Sequence, residues 1–127
     1  MVATYPLESV GTTLLDEVEG EDRRRMYVRM RRGTTEVGEQ SCGPLTQMVF
    51  DAEEQHHSVY LSLESRAKLA ASLGETSADL EKALALRVSN EGLFLTDLMD
   101  ELDGRGIPYG YLNSVSGKYV WCRPEYA

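Results

Sequence analysis

The spacing of the hydrophobic residues changes once along the chain, near residue 62. In the first half, apolar side chains alternate with polar or aromatic ones; Met26, Val28 and Met30, for example, are separated by single residues. Such alternation is typical of a strand with one buried face. In the second half, apolar residues recur every three or four positions, which is typical of amphipathic helices. Strands followed by helices predict an α+β fold.

Most of the first half is predicted to form strands. The predicted strands are Thr13–Val18, Arg25–Arg31, Leu45–Phe50 and Ser58–Leu63. The first segment also fits a short helix capped by Thr13, and the pattern does not choose between the two. A solvated polar turn is expected at Asp51–His57. Because the strands are close in sequence, crossover helices do not fit between them, and we predict a mostly antiparallel sheet with helices on one face.

Three helices are predicted between residues 63 and 103. The first begins after Ser62 and ends at Gly74, the second begins at the Thr76–Asp79 capping box, and the third ends at Gly104. The chain then ends in a predicted hairpin with the strands Tyr109–Leu112 and Lys118–Arg123. Three helices followed by a hairpin are also the element order of a winged helix, so a winged-helix-like C-terminal half is an alternative within this fold class.

Length and composition predict one domain that covers residues 1–127. The chain is 42% apolar and 27% charged, which is typical of globular proteins. It has no apolar run of the roughly 20 residues that a membrane span requires, and no N-terminal signal pattern. We therefore expect a cytoplasmic protein without a membrane partner. The oligomeric state does not follow from the sequence.

The charge is strongly acidic outside one segment. Thirteen basic and twenty-one acidic residues give a net charge of −8. Arg23–Arg32 contains six of the arginines and no acidic residue, so the rest of the chain has seven basic against twenty-one acidic residues. An excess of carboxylates disfavours binding to nucleic acid or to an anionic membrane. It favours a basic protein surface as the partner.

The arginine-rich segment has two interpretations. It could bind anions through Arg25, Arg29 and Arg31, with Tyr27 as a stacking surface for a base. Alternatively, its arginines pair across the hairpin with acids of the preceding segment. Those acids are Asp16, Glu17, Glu19, Glu21 and Asp22. We favour internal pairing, because charged strands usually form a solvated face.

A second group of charges belongs to the third predicted helix. Its polar face contains Asp97, Asp100, Glu101 and Asp103, which would repel a DNA backbone. We predict that this row binds a basic partner, with aromatic anchors from the terminal hairpin. The candidate anchors are Tyr109, Tyr111, Tyr119 and Trp121. Phage and mobile-element inhibitors of nucleic-acid-handling proteins have similar size and charge, so the leading hypothesis is a non-enzymatic inhibitor or adaptor.

Catalysis is a weaker hypothesis. A thiol enzyme would use Cys42 with His56 or His57 as a base, but Leu45 stands where a thioredoxin-like motif requires a second cysteine. Adjacent histidines in an extended segment point to opposite faces, so these two would not share one metal ion. The only other cysteine is Cys122, eighty positions away. We predict no cofactor and no metal site.

Overall fold

Residues 11–115 and 118–124 are described by the computed structural model, with backbone alone for residues 118–122. Six strands form one antiparallel sheet, and their order in the sheet is their order in the sequence. The strands are β1 (Thr12–Glu19), β2 (Asp22–Arg31), β3 (Thr34–Cys42), β4 (Glu54–Leu61), β5 (Gly110–Val115) and β6 (Lys118–Arg123). The helices are α1 (Pro44–Phe50), α2 (Leu63–Ser72), α3 (Leu80–Glu91) and α4 (Leu95–Gly104), with a 3-10 turn at Ser77–Asp79. The predicted α+β class with an antiparallel sheet is confirmed.

The core lies between one face of the sheet, here called the inner face, and helices α2 to α4. Alternate residues such as Met26, Val37 and Val59 point to this side because the strand period is two. The three helices contribute a buried leucine stripe to the same cluster. Its members include Leu69, Leu80, Leu84, Leu95, Leu98 and Leu102. The opposite, outer face of the sheet carries mainly polar side chains.

The three predicted helices are present, with local signals that the sequence shows. The Ser62 side chain accepts a hydrogen bond from the Ser65 backbone N–H, which caps α2. Arg66 then connects α2 to the start of α3: its buried guanidinium donates to Glu81 and to the Ser77 carbonyl. The sequence pattern does not reveal this bridge, because Arg66 resembles any polar residue of a helix.

The predicted strand Leu45–Phe50 is wrong, because this segment is the fourth helix, α1. Pro44 occupies its first turn, and the Asp22 carboxylate accepts the Leu45 backbone N–H at 2.8 Å. Proline suits this position because it has no N–H to leave unpaired. The Gly43 N–H also donates to the Glu53 carbonyl, which closes the connection between β3 and β4. Contacts from outside the segment therefore override its β-forming Val and Phe residues.

Two further differences concern the first half of the chain. The Thr12–Glu19 segment is a strand, which decides between the two alternatives for it, and Thr34–Cys42 is a strand that was not predicted. The polar turn is shorter than Asp51–His57, because β4 begins at Glu54. Both histidines therefore lie within the sheet. Polar residues on both faces of β3 and of the first half of β4 hide the alternation that normally identifies a strand.

The terminal hairpin extends the sheet. Strand β5 pairs with β4, with Val59 opposite Tyr111, so the hairpin continues the N-terminal strands. A winged-helix arrangement of the C-terminal half is accordingly not confirmed. None of the helices in the described ranges has the length and apolar character needed to cross a bilayer.

Candidate functional site

The arginines of Arg23–Arg32 are mostly bound to carboxylates of the protein itself. Arg23 pairs with Asp16 at 3.0 Å, and Arg24 pairs with Glu17 and, at 2.9 Å, with Glu39. On the outer face, the Arg29 Nε donates to the Glu36 Oε1 at 2.6 Å. Arg25 is buried and its guanidinium reaches the Thr13 hydroxyl. Only Arg31 and Arg32, beside the β2–β3 turn, are exposed. The arginine-rich segment therefore contributes little positive surface.

Tyr27 belongs to a buried polar group on the outer face, which we call the outer cluster: Tyr27, Arg29, Glu36, His56 and Ser58. The Tyr27 hydroxyl donates to Glu36 at 2.5 Å and lies 2.8 Å from the His56 Nε2. Ser58 donates to the same carboxylate at 2.8 Å. The Tyr27 ring is only 1% exposed, so it offers no open surface on which a base could stack.

Hydrogen bonds set the protonation of the outer cluster. Burial alone would raise the pKa of Glu36, but donors from Tyr27, Ser58 and Arg29 outweigh it and hold this pKa below its usual value. Burial lowers the pKa of His56, although Glu36 acts in the opposite sense. The cluster is therefore an ionised carboxylate surrounded by donors, beside a neutral imidazole.

A second polar group, the inner cluster, consists of Arg24, Glu39, His57 and Tyr111. The His57 Nε2 lies 2.8 Å from the Glu39 Oε1, and its Nδ1 lies 2.8 Å from the Tyr111 hydroxyl. Burial would raise the pKa of Glu39, but the bond from His57 and the charge of Arg24 hold it below its usual value. Burial, with the nearby Glu39 charge, raises the pKa of Tyr111 to about 12. Both ring nitrogens of His57 are engaged inside the protein, which leaves neither free for proton transfer to a substrate.

The inner cluster connects the sheet to the loop before α4. The Arg24 Nη2 donates to the Leu93 carbonyl at 2.7 Å, and the guanidinium carbon lies 3.9 Å from the centre of the Phe94 ring. The Leu95 backbone N–H points to Glu39. These contacts hold Phe94 in place at the surface, where its ring is half exposed.

A cavity of about 400 Å³ lies between Phe94 and α1, and we call it the α1 pocket. Leu45, Val49, Phe50 and Phe94 contribute its apolar walls, and side chains of the inner cluster contribute its base. A wider depression of about 700 Å³ lies on the other side of α1, beside Cys42 and Gln47. The volume of the α1 pocket is within the range of ligand-binding pockets in proteins.

Carboxylates surround both sides of α1. Glu17, Glu19 and Asp22 line the α1 pocket, whereas Glu21, Glu53 and Glu54 line the wider depression. Glu17 and Asp22 have partners in Arg24 and the Leu45 N–H. The structure as described gives Glu19, Glu21, Glu53 and Glu54 no ion pair. This end of the sheet, which we call the α1 end, consists of α1 with Glu19, Glu21, Glu53 and Glu54. It therefore combines apolar surface with unneutralised negative charge.

The acidic residues predicted on α4 lie together, but most of them have partners in the protein. Asp97 accepts the Phe94 backbone N–H, and Glu101 pairs with Arg87 and Arg105. Asp103 accepts the Tyr109 hydroxyl and pairs with Arg123. Asp100 is the exposed member for which the described structure gives no such contact. The α4 row thus presents less free charge than its sequence indicates.

The aromatic residues predicted as anchors are distributed between core and hairpin. Tyr109 and Tyr111 are 1% and 8% exposed, so both rings pack in the core. Tyr119 and Trp121 lie in β6, and their side chains are outside the described residues. The exposed apolar residues near acids, on α1 and at Phe94, are candidates that the sequence does not indicate. The pattern of Leu45–Phe50 predicts a strand, and Phe94 is a single apolar residue before the third predicted helix.

Cys42 lacks the features of an activated thiol. It is buried, and burial raises its pKa, an effect that Arg23 offsets only in part. Cys42 pairs in register with Glu54, whereas His56 is opposite Gln40 and His57 is on the inner face. The thiol-enzyme hypothesis therefore has no support from the local geometry. Within the described ranges, no group of three or more acidic, histidine or cysteine side chains is arranged to hold a metal ion.

Comparison of the chain with protein-family models, curated proteins and solved structures gives no match.

Proposed function

We propose that the protein is a non-enzymatic binding module that docks on a basic surface of a partner protein through the α1 end. The observation that carries this proposal is the uneven neutralisation of charge. Arg23, Arg24 and Arg29 are paired internally, whereas Glu19, Glu21, Glu53 and Glu54 around α1 are not. A cationic surface would therefore be attracted most strongly to this end of the protein.

Charge and apolar surface would have separate roles in such docking. Unpaired carboxylates raise the rate of association with a basic partner and select against acidic ones. Exposed apolar side chains of α1 supply contacts that persist at high salt, because burial of apolar area does not depend on screening. A nucleic-acid-handling protein has a basic phosphate-binding surface, so an inhibitor or adaptor of such a protein fits this combination.

The test compares two charge-reversal proteins of equal charge. One carries Glu19→Lys, Glu21→Lys and Glu53→Lys at the α1 end, and the control carries Glu75→Lys, Asp79→Lys and Asp100→Lys elsewhere. Each is used to capture partners from the native host, with identification by mass spectrometry. We expect the α1-end protein to lose a partner that the wild type and the control retain. Identical partners for all three proteins would contradict the proposal.

Nucleic-acid association is the second candidate, and the exposed arginines Arg31 and Arg32 favour it. They lie on the β2–β3 turn, away from the acids of the α1 end. This candidate, with or without a winged-helix-like role for the C-terminal half, predicts retention on DNA or RNA that weakens steeply with salt. A gel shift at low salt with the wild type and with Arg31→Ser/Arg32→Ser tests it, and no shift for the wild type excludes it.

A further inference from the structure

The geometry points to the α1 pocket as the binding site for an apolar side chain that lies within a basic segment of the partner. This inference rests on the proposed function and adds to it the chemistry of the segment that is recognised. Three observations support it: the exposure of α1, the fixed position of Phe94 and the charge at the pocket mouth.

Helix α1 exposes most of its apolar residues. Met48 is 75% exposed, Val49 63%, Leu45 54% and Phe50 41%, and the buried residue of the helix is Thr46. An isolated exposed apolar side chain is ordinary on protein surfaces, but a contiguous group beside a cavity is typical of an interaction site. This helix is therefore suited to contact an apolar group of another molecule.

The opposite wall of the pocket is held in position before any partner arrives. Arg24 stacks on the Phe94 ring and also binds the carbonyl of the preceding residue, Leu93. Glu39 fixes Arg24 from the other side at 2.9 Å. A preorganised aromatic wall reduces the ordering cost of binding, which favours affinity.

Charge at the mouth of the pocket selects among possible occupants. Glu17 and Glu19 line the pocket, and Glu17 is largely exposed despite its contact with Arg24. Arg23 and Arg24 also line it, but both are bound to carboxylates of the protein itself. A second copy of this chain, with its net charge of −8, would bring the same acids face to face. An anionic lipid surface would also be repelled. A segment with lysine or arginine on either side of an apolar residue fits this site best. Its apolar residue would pack against the apolar walls of the pocket, and its basic residues would lie beside Glu17 and Glu19.

The experiment uses synthetic hexapeptides and NMR titration of the labelled full chain. The probe is Lys-Lys-Leu-Phe-Lys-Arg; one control peptide, Lys-Lys-Ser-Gly-Lys-Arg, keeps the charge, and another, Glu-Glu-Leu-Phe-Glu-Glu, keeps the apolar pair. We expect the probe to shift the amide signals of Val49, Phe50 and Phe94, with at least about tenfold tighter binding than either control peptide.

Variants then locate the binding surface. Val49→Ser and Phe94→Ser are expected to weaken binding of the probe at least about tenfold. Leu63→Ser and Leu86→Ser, which change similarly exposed apolar residues of α2 and α3, should leave it unchanged. Spectra of the free variants show whether each remains folded. Equal loss in all four variants would overturn the assignment to the pocket.

The control peptides separate this inference from the proposed function. Equal binding of the basic peptide without apolar residues would overturn the pocket inference and leave the preference for basic partners in place. Equal binding of the acidic peptide would overturn the preference for basic partners and leave an apolar site. Absence of binding by the probe would overturn the inference for the α1 pocket.

Discussion

The inner and outer clusters are built from the same residue types and differ in what they connect. Each contains one glutamate, one histidine, one tyrosine and one arginine, and the two histidines, His56 and His57, are adjacent in the sequence. In the outer cluster the glutamate links neighbouring strands only, through Arg29 and Ser58. In the inner cluster, Glu39 also accepts the backbone N–H of Leu95, the first residue of α4.

This difference shows how position on a sheet determines the role of a polar group. The outer cluster stabilises the register of β2, β3 and β4, because the hydrogen bonds described above join residues of those strands. The inner cluster joins the sheet to the segment that carries Phe94, one wall of the α1 pocket. We therefore expect substitutions in the inner cluster to change the conformation of the proposed binding surface as well as the free energy of unfolding. Substitutions in the outer cluster should change the free energy of unfolding alone.

The largest effect is expected from Glu39→Ala. It leaves the arginine and the histidine without their buried acceptor, which costs about 3–5 kcal/mol in the free energy of unfolding. Urea denaturation measures this loss, and amide signals of residues 93–95 should shift as well. Glu36→Ala is the matched variant, because it should cost stability without moving those signals. Shifts at residues 93–95 in both variants would remove the proposed difference between the clusters.

Gly38→Ala is expected to lower the free energy of unfolding by about 2–3 kcal/mol, because it disrupts the outer cluster. A Cβ at residue 38 would overlap the Tyr27 Cζ, so the ring would have to leave its position across the sheet. The control is the same change in a Tyr27→Val protein, where no ring is displaced. If the two effects on unfolding free energy simply add, the ring is not the obstacle.

Tyr111→Phe is expected to cost about 1 kcal/mol, because the His57 Nδ1 loses its hydroxyl partner. The ring remains, so packing in the core is preserved. Thermal and urea unfolding would report the change. A loss of several kcal/mol would mean that the hydroxyl supports more of the inner cluster than one hydrogen bond.

The smallest effect concerns the dependence of stability on pH. The pKa of His56 is lowered in the folded protein, whereas an unfolded histidine titrates near 6.5. As the pH falls below about 6.5 the unfolded state takes up a proton first, so stability decreases on acidification, with a slope of at most about 1.4 kcal/mol per pH unit. His56→Gln should flatten this slope between pH 7 and pH 5.5. An unchanged slope in urea titrations would show that His56 is not buried in its neutral form.

The carboxylates act in a different pH range. The pKa values of Glu36 and Glu39 are lowered in the folded protein, so their stabilisation is complete above the unfolded value of about 4.3. It is lost as the pH falls further, through the lowered folded values. Acid unfolding below about pH 4 therefore reports these two glutamates together with Asp16, whose pKa is also lowered in the folded protein by its hydrogen bond with Arg23. This range is separate from that of His56.

Much of the fold is predictable from local patterns. The alternation of Met26, Val28 and Met30 predicts a strand, and the Ser62 cap and leucine spacing predict the helices, because these signals act within a few residues. The opposite orientation of His56 and His57 also follows from adjacency in an extended segment. By contrast, α1 depends on the Asp22 carboxylate, which is more than twenty residues away, and no local pattern reports it.

The candidate site was less predictable than the fold. The α4 acids Glu101 and Asp103 look free in the sequence, but Glu101 pairs with Arg87 and Asp103 pairs with Arg123. The exposed apolar residues of α1 lie in a segment that the sequence pattern predicts to be a strand. In both cases the decisive information is which distant group lies within hydrogen-bonding or packing distance, and sequence spacing does not contain it.

By itself, the amino-acid sequence determined the α+β class, the positions of the three later helices and the excess of negative charge, since each depends on composition or on short-range periodicity. Only the tertiary structure decided which carboxylates are neutralised and which apolar residues remain exposed. The physical reason is that ion pairs such as Arg24–Glu39 form between separate strands, and their free energy depends on distances that folding creates.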